Sequence, residues 1–150
     1  LSSLLALLLL LSSCANYRQL QAHRNELQRL AQSNLDPQAK FDGLAEVLAT
    51  VLEESTDFSS PFKSYRYVQK FTNQNQRALD QLTAELLAWQ ADMNTAQKVA
   101  FTTRALSKGY SRRLIRVIPK LERVISENDY KLSGLEKTLL LFKLKRVFKR

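Results

Sequence analysis

Few side chains in this sequence have the type and spacing to do chemistry. Cys14 is the only thiol, and it directly follows two serines at the end of an apolar run. A solitary cysteine so placed is first of all a site for covalent modification. The one histidine, His23, has only Glu26 at ligand spacing, so it is expected to be structural. Glu53, Glu54 and Asp57 form the densest acidic cluster. Glu53 and Asp57 share a helix face and could take a hard cation, although a solvated helix end explains them as well. Arg112, Arg113, Arg116, Lys120 and Arg123 recur at steps of one, three and four, and Lys143, Lys145, Arg146, Lys149 and Arg150 crowd the last eight positions. Cations at those steps line one side of a helix and suit an anionic partner; the competing reading is a solvated surface. Gly43, Gly109 and Gly134 stand alone, so there is no phosphate loop, and no nucleophile elbow or paired-histidine motif occurs. The expectation is a protein that is not an enzyme and holds no metal.

Residues Leu1 to Leu11 contain eight leucines and one alanine, broken only by Ser2 and Ser3. An apolar run of about 7–15 residues followed by small residues is a signal-peptide core, whereas a spanning helix needs about 20. The stretch Leu11-Ser12-Ser13-Cys14 resembles the lipobox of bacterial lipoproteins. The resemblance implies that residues 1–13 are a signal peptide recognised through Leu11, Ser12 and Ser13. It also implies that Cys14 becomes the lipidated first residue, with no cofactor beyond that lipid. One acyl chain holds a membrane only marginally, but two or three make a durable anchor. A charged leader and an initiator Met are missing from the run, so a few residues are expected to precede Leu1. Ala15 and Asn16 are not the aspartate that retains enterobacterial lipoproteins in the inner membrane, which favours the outer membrane facing the periplasm.

The charge is lopsided. Ala15 to Gln97 carry eight basic and ten acidic residues, whereas Lys98 to Arg150 carry fifteen and four, a net +11. In the cytoplasm such a segment would point to nucleic acid, but aromatic–basic interleaving is thin and no DNA-binding motif is present. For an exported protein the candidate partners are another envelope protein, an anionic envelope polymer or lipid. With one cysteine there is no intramolecular disulfide, so packing alone must hold the domain.

The elements that must position these residues read as helices. Three glycines and three prolines in 150 residues leave few breakers. Residues 14–34 form a polar helix or stalk with a thin seam of Tyr17, Leu20, Leu27 and Leu30. Asp36-Pro37 and Ser60-Pro61 are cap-plus-proline helix starts. From 61 to about 93 one long helix is expected, with a heptad seam of Tyr65, Val68, Thr72, Asn75, Leu79, Leu82, Leu86, Trp89 and Met93. That seam serves an intramolecular bundle or, as the second choice, a homodimer through 65–93. Gly109 should end a further helix, Pro119 should kink or restart the next, and Ser133-Gly134-Leu135-Glu136 is a capping box before a basic amphipathic last helix. That helix either closes the bundle or bridges to a second envelope surface. The fold class is all-α: a bundle of five or six helices over 35–150.

Overall fold

The computed structural model describes residues 2–131 and 135–142. Its helices are α1 (Ser2–Gln32), α2 (Pro37–Thr56), α3 (Pro61–Gln74), α4 (Gln76–Ala91), α5 (Thr95–Ser107), α6 (Tyr110–Glu127) and α7 (Leu135–Leu139), and a 3₁₀ turn spans Leu140–Phe142. No strand occurs among the described residues, and the fold is an all-α bundle. Six of these α-helices, α2 to α7, lie within 35–150, and the expected long helix over 61–93 is divided between α3 and α4.

The starts follow the sequence chemistry. Asp36 caps α2 by accepting from the Ala39 amide at 2.8 Å, and Ser60 caps α3 by accepting from the Lys63 amide at 3.2 Å, each with proline just inside. Asn94 and Gln97 form a reciprocal capping box on α5. Gly109 ends α5 in the left-handed region at φ 80° and also stands before α6, so Ser111 lies inside α6. Pro119 is accommodated within α6.

The long heptad helix is interrupted at Asn75. The Asn75 side chain donates to the Phe71 carbonyl at 2.8 Å, and its backbone amide reaches both Phe71 and Thr72. An asparagine that bonds back to the preceding turn competes with helix continuation, and the chain leaves helical geometry there at φ −118°, ψ 14°. The seam is buried within this one chain all the same: Val68, Thr72, Leu79, Leu82 and Leu86 are inaccessible, while Tyr65, Trp89 and Met93 pack half-buried at its ends.

Two pairings define the arrangement around α1. His23 meets the Phe71 ring edge-on at 6.3 Å, and Gln81 donates to the Ala31 carbonyl at 2.9 Å, so α1 runs parallel to α3 and α4. Helix α2 returns antiparallel, with Gly43 against Leu30 and Glu54 against His23. Phe41 anchors the centre, its ring 4.7 Å from Phe101 and 5.0 Å from Phe142, which ties α5 and the 3₁₀ turn to α2. Thr83 and Thr138 hydrogen-bond at 2.8 Å and join α4 to α7.

Helix α6 ends with Asp129 left-handed at φ 54° and with the Tyr130 amide bonded to the Ile125 carbonyl, a Schellman closure. Tyr130 then stacks on Tyr65 at 4.1 Å, which brings the C-terminal end of α6 beside the start of α3.

Candidate functional site

An open groove of about 1060 Å³ lies between the 16–20 segment of α1 and the outer face of α3, with the α2–α3 turn at one end. Leu20, Phe58 and Tyr67 give it an apolar floor, and Asn16, Gln19, Gln69 and Asn73 add amides. One wall carries Lys63, Arg66 and Lys70. Steps of three and four put these three on one side of α3, while the other side buries Tyr67, Val68, Phe71 and Thr72. None of the three cations is ion-paired among the described residues; Lys63 has only the Ser59 hydroxyl at 3.5 Å, and Arg66 lies 5.9 Å over the Phe62 ring.

Behind the floor lies a polar cluster that joins three helices. Glu54 accepts from the Tyr67 hydroxyl in a very short hydrogen bond and from His23 Nε2 at 3.0 Å and 3.2 Å. Burial raises the Tyr67 pKa well above the usual tyrosine value, and the Glu54 carboxylate raises it further. The phenol therefore remains a proton donor, and the carboxylate is occupied by two donors. The cluster is built to hold α1, α2 and α3 together behind the groove, with its acceptor engaged from both sides.

This arrangement divides the acidic cluster read from sequence. Glu54 turns to His23 and Tyr67, Glu53 turns to Arg113, and Asp57 lines the groove. Among the described residues no group of three His, Cys, Asp or Glu is placed to hold a metal ion. His23 does have a carboxylate partner, but it is Glu54, 31 positions away, while Glu26 instead binds Arg29. That hydrogen bond from Arg29 holds the Glu26 carboxyl below its ordinary pKa.

The α6 basic row is also divided. Arg113 points at α2, where Nε and Nη2 grip Glu53, Nη1 reaches Glu46 at 2.7 Å and Nη2 lies 3.3 Å from Thr50. Bidentate donation to Glu53, with Glu46 accepting beside it, raises the guanidinium pKa further. Arg113 is thus a clamp between α2 and α6. Arg123 pairs with Glu127 at 2.8 Å on the surface. Arg112, Arg116 and Lys120 are exposed and have no ion pair among the described residues. The remaining sequence candidates Lys143, Lys145, Arg146, Lys149 and Arg150, and the Ser133 capping box, lie outside the described residues. Leu11, Ser12, Ser13 and Cys14 fall in the unbroken backbone of α1.

Two features escaped sequence reading. The α3 row was legible at its three-four spacing but sits in the half of the chain with net negative charge. The His23–Glu54–Tyr67 cluster joins positions 31 and 13 residues apart and leaves no local pattern.

Fold and groove define an all-α bundle with a cationic, aromatic-edged groove beside its first helix. Compared with family models, curated proteins and solved structures, the chain matches none of them.

Proposed function

We propose that this chain is a lipoprotein: a helical bundle held at a bacterial membrane through lipid on Cys14, acting there by binding rather than catalysis. The observation that carries the reading is the behaviour of α1. Leu4, Leu5 and Leu7 are 59%, 62% and 53% exposed, and the first buried described side chain is Leu20. Three leucines left in water at the head of a helix serve no bundle, whereas they suit a signal segment removed before Cys14. Among the described residues no helix is long and apolar enough to cross a membrane; in this reading covalent lipid on Cys14 is the attachment. The location that fits is the cell envelope, with the outer membrane facing the periplasm favoured over the inner membrane. An adaptor, a structural element or an accessory subunit of a membrane complex all fit. Exposed Arg112, Arg116 and Lys120 form the face for an anionic envelope partner.

The test is palmitate labelling with membrane fractionation of the protein expressed from its native start, wild type against Cys14→Ser. Label and membrane association should both vanish with the thiol. A wild-type protein that is soluble and unlabelled would overturn the proposal.

A further inference from the structure

We infer that the groove between α1 and α3 holds the headgroup of an anionic phospholipid from the membrane in which the protein is anchored. The inference rests on the Cys14 reading for the source of the lipid, but its charge argument is independent of it.

Position comes first. Asn16, which lines the groove, is two residues after Cys14, about 3 Å along a helix axis. Because α1 and α3 run parallel, with His23 level with Phe71, the Asn16 end of the groove is the end where α3 begins. Tyr17, 66% exposed, and Phe62, 55% exposed, stand at that end. Tyrosine settles at the headgroup level of a bilayer, and a phenylalanine beside it enters the boundary with the acyl chains. An anchor on Cys14 therefore brings this end of the groove to the membrane surface, aromatic edge first.

Charge comes second. Lys63 to Lys70 span about 10 Å of helix, from a rise of about 1.5 Å per residue, and present three cations to one side. On α6 the arginines Arg113 and Arg123 have carboxylate partners, but these three do not among the described residues. Two acidic side chains share the groove, and Glu54 is already engaged by Tyr67 and His23, which leaves Asp57 against three cations. A phosphodiester matches that surplus. The amides of Asn16, Gln19, Gln69 and Asn73 match the hydroxyl and ester oxygens of a glycerol headgroup. The volume of about 1060 Å³ accommodates a whole headgroup, and Leu20 and Phe58 receive the first carbons of its chains.

The test uses the full chain in mild detergent, both lipidated and as Cys14→Ser, with native mass spectrometry counting retained phosphatidylglycerol against phosphatidylcholine. One phosphatidylglycerol should be retained at least tenfold in preference. Lys63→Gln/Arg66→Gln/Lys70→Gln should lose that preference, while Arg77→Gln/Lys98→Gln/Lys108→Gln, which removes as much charge elsewhere, should keep it. Unchanged far-UV circular dichroism shows that both variants fold. Equal retention by the two variants would overturn the inference, as would displacement of the lipid by inorganic phosphate, which would make free phosphate the ligand. Retention by Cys14→Ser alongside failed palmitate labelling would keep the groove assignment and defeat only the anchor.

Discussion

Replacing Glu54 with Ala tests whether the cluster behind the groove joins α1, α2 and α3. Glu54 accepts from the hydroxyl of Tyr67, a residue only 5% exposed, so truncation leaves that hydroxyl without its protein acceptor. An orphaned buried donor costs about 1–3 kcal/mol. His23, with its side chain 13% exposed, loses its acceptor as well and adds about 1 kcal/mol. The expected loss is about 3 kcal/mol, a large part of the stability of a domain this size. The partner mutation behaves differently. Tyr67→Phe removes the donor, but the Glu54 side chain is 22% exposed and water can replace the lost bond, so about 1 kcal/mol is expected. Combined, the two changes should cost about 2 kcal/mol less than their sum, since the orphaned hydroxyl no longer exists. Urea unfolding of the full chain carrying Cys14→Ser in mild detergent, followed by circular dichroism, measures all four corners of the cycle. Additive effects, or Glu54→Ala within about 0.5 kcal/mol of its parent, would refute the reasoning.

Three further outcomes follow from the packing. A Cβ on Gly43 would lie 2.7 Å and 2.9 Å from the methyl carbons of buried Leu30, so Gly43→Ala should destabilise by about 1 kcal/mol, overpacking exceeding the gain in helix propensity. The same substitution in a Leu30→Ala background should stabilise, and urea midpoints of the four proteins would show it. Lys40 is 5% exposed and bonded to both Glu85 oxygens at 2.9 Å and 3.1 Å, so Glu85→Ala strands a buried ammonium and should cost about 2 kcal/mol. Lys40→Met should cost much less by the same assay, because an apolar side chain replaces the charge. The raised Tyr67 pKa sets an alkaline limit: unfolded tyrosine releases its proton above about pH 10, while the folded residue retains it. Stability should therefore fall as pH rises above 10, and Tyr67→Phe should lose less between pH 10 and 12, as read from melting temperatures at each pH.

Sequence legibility followed range. The helix starts at Asp36-Pro37 and Ser60-Pro61 and the stop at Gly109 were readable because a cap and its acceptor lie within three or four residues. The seam from Tyr65 to Met93 was readable for the same reason, since helical spacing repeats within two turns. The break at Asn75 was not, because its polar seam position fits a register device as well as a helix end, and burial selects between them. Lys40 went unnoticed as an interior residue, since only the approach of Glu85 from α4 makes its burial tolerable.

The sequence by itself determined that the chain is helical, where α2 and α3 begin, and that a lone cysteine closes an apolar run. Tertiary structure decided which charges are available. Of the arginines on α6, Arg113 turned inward because α2 offers Glu46 and Glu53 across the interface, and Arg123 paired along its own helix. On α3, Lys63, Arg66 and Lys70 met no carboxylate among the described residues and came to line a groove. Charge is a property of a residue, but free charge is a property of its neighbours, and neighbours 31 to 67 positions away are set only by packing.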